Sequence, residues 1–225
     1  MATFLLIYTA TAHASVCMSK NGVVIACLET SDQKSHASFI QPAINTLTKQ
    51  TGIALSSIDA IAISIGPGSY TGLRVGMATA KGIAYALGKP LIGINTLQII
   101  AAAAKQKYPN HHSSICALLD ARRMEVFTGI YSHNLEPTTT STALILDPQS
   151  FENELANEAI LFVGDGVEKF KAICQHTNAH FDAGLCYGAS DMLGLTEKAF
   201  ALADFLDLAY CEPLYIKAFH DNRKA

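Results

Sequence analysis

The stretch IGPGSYTGLRVGMATAK, residues 65–81, joins the end of an apolar strand pattern to the start of a long helix through a glycine-rich loop. The apolar run before it covers residues 58–65, and the helical pattern after it continues to Leu87, where Gly88 and Pro90 end it. A buried strand, a glycine loop and a helix in this order are typical of parallel sheets with crossover helices. The stretch therefore predicts an α/β fold.

The elements around this stretch form a regular series. The pair Asn21-Gly22 lies between two apolar runs, which is the strongest short signal for a β-hairpin. A helical pattern follows, and we expect Pro42 to kink it or to shorten its first part. The first half then gives three strands, a helix, a strand, a helix, a strand and a helix, at residues 3–9, 15–18, 23–28, 35–50, 58–65, 71–87, 91–94 and 96–107.

The second half repeats this order after the polar break YPNHHSS at residues 108–114. Its strands and helices are expected at residues 115–119, 125–131, 143–146, 149–157, 159–163 and 167–175, followed by a last helix at 189–208. Because the order of elements repeats while the sequence does not, we expect two similar lobes of the actin, hexokinase and Hsp70 type. This ASKHA or RNase H-like class gives each lobe a mixed sheet with flanking helices. The predicted lobes are residues 1–107 and 108–225.

The composition indicates apolar surface that the fold alone does not cover. Half of the 225 residues are hydrophobic and 16% are charged, against about 25% in typical domains. A partner interface is one candidate cover. The formal charge of −3 does not favour a broad basic face for nucleic acid. The apolar N-terminal run is too short to span a membrane and no basic residue precedes it, so we expect a soluble cytoplasmic protein with no membrane segment.

The cysteines are expected to be buried, reduced thiols. No two of them form a CxxC pair, large cores do not need disulfides, and the cytosol keeps thiols reduced. They are Cys17, Cys27, Cys116, Cys174, Cys186 and Cys211.

The loop GPGSYTG has two interpretations. Glycine amides and a helix N-terminus offer donors to an anion, and the candidate anion or nucleotide contacts are Gly68, Ser69 and, from elsewhere in the chain, Arg122. However, the loop lacks the GK[ST] ending of a P-loop and misses the dinucleotide fingerprint by one residue. Pro67 also removes one amide donor. The residues therefore favour a structural turn over an anion site, and both readings stay open.

The helix behind the loop carries a stripe of small residues. Ala78, Gly82 and Ala86 lie four residues apart, and Gly72 and Gly76 extend a neighbouring stripe. A glycine within a helix costs roughly 1 kcal/mol relative to alanine, so Gly76 and Gly82 need a packing reason. Close approach of a second helix, from this chain or from another, would supply it.

Three segments resemble the TsaB (YeaZ) family. The longest is GPGSYTGLRVGMATAKGIAYALGKPLIGINTL at residues 66–97, which is similar to the family signature almost without interruption. The segments DARRMEVFTGIY at 120–131 and SHASFIQPAINTL at 35–47 also match in the expected order. The resemblance implies an actin-like fold and a role in forming threonylcarbamoyladenosine next to the anticodon of tRNA.

The resemblance also implies the partners. In this family TsaB is not the catalyst but binds and activates its paralogue TsaD, the metal-holding transferase, and the ATPase TsaE completes the assembly. ATP and metal are then expected on partner subunits, with no cofactor here and with tRNA reached through the complex. The family interface is a bundle of two helices from each partner, here residues 35–50 and 71–87. The implied contacts are His36, Phe39, Ile40, Ala43, Leu47, Arg74, Ala78, Lys81, Gly82 and Ala86. A homodimer through the same stripe remains an alternative for the isolated chain.

One position departs from the family pattern. Family members commonly begin a D-T-S run where this chain has Tyr8-Thr9-Ala10-Thr11. In catalytic relatives of the fold that acid helps to hold nucleotide-bound metal. We therefore expect no ATP hydrolysis by this chain and assign it no catalytic and no metal-binding residue.

Two other functions compete with this interpretation. A glycoprotease-like metallopeptidase needs clustered ligands, yet His36 has no second histidine four residues on, and the pair His111-His112 lies in a polar linker. A small-molecule kinase of the actin-like fold would use Asp120, Asp165 and the glycine loop.

Overall fold

The first half of the chain forms a five-stranded mixed sheet. The computed structural model describes residues 2–32, 36–110 and 113–217. The strands are β1 Thr3–Tyr8, β2 Ala14–Lys20, β3 Val23–Thr30, β4 Ala60–Gly66 and β5 Leu91–Asn95. Their order is β3-β2-β1-β4-β5, antiparallel between β1, β2 and β3 and parallel between β1, β4 and β5. The Asn21-Gly22 turn thus joins β2 to β3, as the hairpin signal predicts.

The second half forms another five-stranded sheet. Its strands are β6 Ser114–Asp120, β7 Glu125–Tyr131, β8 Thr142–Ile145, β9 Ile160–Val163 and β10 Ala179–Asp182. Their order, β8-β7-β6-β9-β10, repeats that of the first sheet strand for strand. The predicted two-lobed, actin-like class is therefore confirmed.

Helices flank both sheets. They are α1 His36–Thr51, α2 Tyr70–Leu87, α3 Thr96–Lys107, α4 Glu152–Asn157, α5 Val167–Lys171 and α6 Leu193–Ala201, with 3-10 turns at Leu55–Ser57 and Ala189–Met192. Helix α1 runs through Pro42 without a break. Within the described ranges, no helix is both long and apolar enough to cross a bilayer.

Strand β1 divides the first lobe into two cores. Phe4, Leu6 and Tyr8 pack on one face of the sheet, with α3 and the Ala189–Met192 turn, whereas Leu5 and Ile7 pack on the other, with α1 and α2. This division follows from the alternation of side chains along a strand. Helix α3 contributes to the cores of both sheets and so lies between the lobes.

The last predicted helix is shorter than expected. It ends at Ala201, and Ala203 has a left-handed backbone (φ 53°) that stops it. Residues 189–201 pack on the first sheet rather than the second, so the chain returns to its first lobe. The division at residue 107 remains a prediction. Strand β10 was not predicted, because its four residues alternate too briefly to give a pattern.

After α6, residues 202–217, here called the tail, run in an irregular path along the first lobe. The Leu206 amide donates to the Leu91 carbonyl oxygen at 2.8 Å, and the Leu214 amide donates to the Ile65 carbonyl oxygen at 2.7 Å. Leu206, which was predicted to lie in the last helix, is thus bonded to β5 from an irregular segment, and Leu214, beyond the predicted helix, is bonded to β4.

The prediction for the cysteines is wrong at one pair. Cys17 on β2 lies directly opposite Cys27 on β3, and a disulfide joins them. Cys27 and Cys186 are exposed, whereas Cys17 and Cys116 are buried. A sequence without a known strand register cannot show which cysteines oppose each other.

Candidate functional site

The glycine loop is fitted closely to the end of β1. A Cβ atom on Gly68 would lie 2.1 Å from the Ala10 carbonyl oxygen, and the Ser69 amide donates to that same oxygen at 2.7 Å. The Ser69 hydroxyl in turn accepts from the Gly72 amide at 3.3 Å and caps α2. These contacts fix the loop against the residues that follow β1.

The inner side of α2 approaches β1 too closely for any side chain. A Cβ atom would lie 2.2 Å from the Thr9 carbonyl oxygen at Gly72 and 2.2 Å from the Thr9 hydroxyl oxygen at Gly76. Close packing against Thr9, the residue that follows β1, is therefore the reason for glycine at these two positions.

The outer side of α2 has no such neighbour. Ala78, Gly82 and Ala86 are exposed, and within the described chain nothing lies within 4 Å of a Cβ atom built on Gly82. Tyr85, on the same side, is 83% exposed. The small-residue stripe on this helix is thus exposed at the surface of the described chain.

The interface predicted on α1 needs a correction. His36, Ile40, Ala43 and Leu47 are buried in this chain, and the three apolar ones pack against the first sheet. They cannot contact a partner while the fold is intact. The apolar period that identifies a helix marks the face toward its own core. The exposed positions of α1 are instead Ala37, Ser38, Gln41, Pro42, Asn45, Lys49 and Gln50.

Phe39 differs from its neighbours on α1. It is half-buried, at the margin of the core. It therefore keeps a partly exposed position and stays a predicted partner contact.

Arg74 and Lys81, both predicted partner contacts, already hold the tail. Arg74 donates from Nε to the Tyr215 hydroxyl at 3.0 Å, and its guanidinium carbon lies 4.0 Å from the centre of the Tyr70 ring. The hydrogen bond to Tyr215 raises the pKa of Arg74. Lys81 donates from Nζ to the Cys211 carbonyl oxygen at 3.1 Å. No sequence signal pointed to these partners, because the tail has no periodic pattern.

A cavity of about 640 Å³ opens between the two lobes. Gly68 and Ser69 line it from the first lobe and Arg122 from the second, so the structure brings the predicted anion contacts together. Asp120 and Asp165 line it as well.

The acidic residues of this cavity are held by neighbours. Asp120 pairs with Lys169 at 2.8 Å and accepts from the Arg122 amide at 2.5 Å. Partial burial opposes ionisation of Asp120, but these hydrogen bonds outweigh it and lower its pKa. The Asp165 carboxylate accepts from the Asp120 amide at 2.8 Å. Loss of water around Asp165 raises its pKa, and the nearby Asp120 charge adds to the rise.

The end of β1 presents an aromatic side chain beside the cleft. Tyr8 is fully buried, its ring packs edge-on to Tyr187 at 6.2 Å, and burial raises its pKa well above the usual value. The end of β1 thus carries a desolvated phenol.

The histidines that the structure describes do not assemble with other ligands into a metal site. His36 donates from Nε2 to the Ala12 carbonyl oxygen at 3.1 Å, a structural contact. Across residues 2–32, 36–110 and 113–217, no group of three His, Cys, Asp or Glu residues is arranged to hold a metal. The pair His111-His112 lies outside the described residues.

Comparison with known proteins adds independent support for the family. A family model described as "TsaD: tRNA N6-adenosine threonylcarbamoyltransferase" matches residues 24–208. The tRNA threonylcarbamoyladenosine biosynthesis protein TsaB of Escherichia coli is 30% identical over 220 residues, which cover 95% of this chain and 94% of that protein.

Solved structures agree over nearly the whole chain. A protein described as similar to the peptidase YeaZ from Pseudomonas aeruginosa gives a TM-score of 0.86 at 27% identity, covering 96% of this chain and 100% of that one. YeaZ from Pseudomonas aeruginosa gives 0.82 at 28% identity with the same coverage. The chain therefore belongs to the TsaB (YeaZ) family of tRNA threonylcarbamoyladenosine biosynthesis proteins.

Proposed function

We propose that this chain is a non-catalytic subunit that binds and activates a TsaD transferase in forming threonylcarbamoyladenosine next to the anticodon of tRNA. The observation that carries the proposal is the exposed stripe of Ala78, Gly82 and Ala86 on α2. TsaE would complete the assembly, and tRNA would be reached through it.

The stripe is the part of α2 that the fold does not explain. Gly72 and Gly76 are required by the contact with Thr9, whereas Gly82 has open space around it. A glycine at such a position lowers the stability of the helix by about 1 kcal/mol relative to alanine, and no close contact within the described monomer requires it. A helix from another chain, packed close to the backbone at Gly82, supplies the missing reason.

The surroundings of the stripe suit a protein interface. Tyr85 lies beside it and is strongly exposed, and tyrosine is enriched among residues that dominate binding energy. Arg74 is held by Tyr215 and Lys81 by the tail backbone, so both side chains lose less freedom when a partner binds. A TsaD family model matches residues 24–208, which include α2. A TsaD partner is therefore expected to have a helix that corresponds to α2 and can pack against it.

The part of the proposal that this chain is non-catalytic is argued from Tyr8. A buried phenol stands where catalytic relatives carry an acid that helps to hold metal, so ATP and metal belong to the partner subunits. The cavity with Asp120 and Asp165 favours a small-molecule kinase as the second candidate. Steady ATP turnover by the purified chain would support that candidate against ours, and a peptide cleavage assay tests the metallopeptidase in the same way.

The direct test is complex formation with TsaD from the same organism, measured by size-exclusion chromatography and calorimetry. We expect Gly82→Leu to abolish the complex, because a leucine side chain holds the partner helix away. Gly194→Leu is the matched control, since Gly194 is also a helical glycine with open space around its Cβ position. If both variants bind TsaD equally well, the assignment of the interface to the stripe on α2 is wrong. If the unmodified chain does not bind TsaD, the proposed function is wrong.

Two further measurements separate the alternatives. Light scattering of the isolated chain, with and without Gly82→Leu, shows whether the stripe pairs two copies. A tRNA modification assay with and without this subunit tests activation, and we expect product only when the subunit is present.

A further inference from the structure

The cysteine pair on β2 and β3 owes its position to an irregularity in the hairpin. Next to the turn, Ser19 pairs with Val24, and continuing this register would place Cys17 opposite Ala26. A β-bulge between Met18 and Ser19 shifts the pairing by one residue, so Cys17 faces Cys27 instead. The two Cα atoms are 4.1 Å apart.

The two sulfur-bearing residues differ in access. Cys17 is 0% exposed and packs in the core that includes Met192. Cys27 is exposed and lines a second cavity, of about 570 Å³, beside the first one. A reagent from solution therefore reaches Cys27 first, and the buried Cys17 is the residue opposite Cys27 on the neighbouring strand.

We propose that Cys17 and Cys27 form a reversible thiol–disulfide exchange site, whose substrates are small disulfides that enter through this second cavity. The Cys27 thiol attacks one sulfur of the small disulfide, which releases one small thiol and leaves the other half bound to Cys27. Cys17 then attacks the Cys27 sulfur, which forms the protein disulfide and releases the second small thiol. The protein loses two electrons and two protons, and the two small thiols gain them. An excess of small thiol reverses both steps.

The charge of the cavity selects among small disulfides. Glu29, Asp165 and Asp191 line it, and no lysine or arginine of the described chain does. His13 also lines it, with Nε2 3.2 Å from a Glu29 carboxylate oxygen. The acidic lining attracts a cationic disulfide such as cystamine and repels an anionic one such as oxidised glutathione.

The site is tested on the reduced full chain by adding cystamine and following intact mass and non-reducing peptide maps. Trypsin cleaves after Lys20, so a bond between the two cysteines appears as two linked peptides. We expect this linked product, with a loss of two hydrogens from the intact mass, and its disappearance on adding cysteamine. A chain that carries adducts on Cys27 but never forms the linked product overturns the proposal.

Variants distinguish the two roles. Cys17→Ser, with Cys17→Ala as a second choice if serine disturbs the core, should accumulate a stable cysteamine adduct on Cys27. Cys27→Ser should leave Cys17 unmodified in the folded chain. Cys186→Ser is the control, because Cys186 lines the same cavity but faces no partner cysteine in the sheet, and it should still form the linked product. Modification of Cys17 in the folded Cys27→Ser variant contradicts the assigned order.

The charge selection has its own readout. At low ionic strength cystamine should form the linked product roughly tenfold faster than oxidised glutathione, and added salt should narrow the difference. Equal rates at low salt contradict the role of the acidic cavity. None of these measurements involves TsaD, so their outcome is independent of the proposed function.

Discussion

Gly76 of α2 faces Thr9 of the segment after β1 so closely that a Cβ atom on Gly76 would lie 2.2 Å from the Thr9 hydroxyl oxygen. A contact this short forces the Thr9 side chain, the helix or the segment after β1 to shift. We therefore expect Gly76→Ala to destabilise the fold by about 2 kcal/mol, despite the better helix propensity of alanine. Urea unfolding measures the change.

Two further variants check this interpretation. Gly82→Ala, on the open side of the same helix, should instead stabilise the monomer by up to about 1 kcal/mol. Thr9→Ala removes the opposing hydroxyl and should recover part of the loss in the double variant, which a double-mutant cycle detects. A Gly76→Ala protein as stable as the parent means that α2 and β1 are farther apart than described.

The cap of α2 provides a second prediction. Ser69→Ala removes the hydroxyl that accepts from the Gly72 amide, and we expect a loss of about 1 kcal/mol. Ser69→Asp keeps an acceptor and should retain most of the stability. Inorganic phosphate at millimolar concentration should leave the melting temperature of the parent unchanged, and a clear rise would favour the anion loop.

Asp120 and Asp165 should respond to pH in opposite directions. The pKa of Asp120 is lowered by folding, so its ionised form stabilises the fold above the usual carboxyl pKa, and this contribution is lost as pH falls through the lowered value. Asp120→Asn should therefore weaken the fold at neutral pH, and the difference from the parent should shrink in acid.

For Asp165 the sign is reversed. Its raised pKa means that ionisation destabilises the fold, fully so above the raised value, and protonation relieves this as pH falls. Asp165→Asn keeps an oxygen that accepts from the Asp120 amide and should strengthen the fold at neutral pH. Unfolding curves between neutral pH and pH 3 measure both variants, and effects of the same sign contradict the assignment.

Tyr215 is predicted to anchor the tail. Its hydroxyl accepts from Arg74, its ring lies 5.3 Å from that of Tyr70, and the nearby Leu214 amide bonds to Ile65. Tyr215→Ala should speed hydrogen exchange at residues 211–217 while global stability changes by less than about 1 kcal/mol, because these contacts are at the surface. Tyr210→Ala is the control, since Tyr210 is 83% exposed. Unchanged exchange in Tyr215→Ala contradicts the anchoring role.

The two-lobed class could be predicted because most of its strands and helices have a local signal in the sequence. Asn21-Gly22 marks a hairpin, and the run that ends in Gly66 marks a strand entering a helix. Repeating the order of elements is then enough to imply a second lobe. Strand β10 and the path of the tail were not predicted. The strand is too short to show an alternating pattern and the tail has no periodic pattern, so the positions of both depend on contacts with distant strands.

The candidate surface was predicted on both α1 and α2, but only on α2 are the predicted small residues exposed. There the small residues Ala78, Gly82 and Ala86 are exposed because the opposite side of the helix fits Thr9. On α1 the most regular apolar positions, such as Ile40 and Leu47, were assigned to a partner although they fill the chain's own core. Periodicity shows that a helix has an apolar face, but only the packed structure shows what that face meets.

The two sheets share one strand order, but their helices differ in length. Helices α1 and α2 have 16 and 18 residues, whereas α4 and α5, which follow the corresponding strands of the second sheet, have 6 and 5. A helix of one or two turns is too short to form a bundle with a long neighbour. In the described part of the chain the second sheet thus has no counterpart to the long pair α1 and α2. If the proposed function holds, we expect contact through α2 to join this chain to one partner and not to extend into a filament.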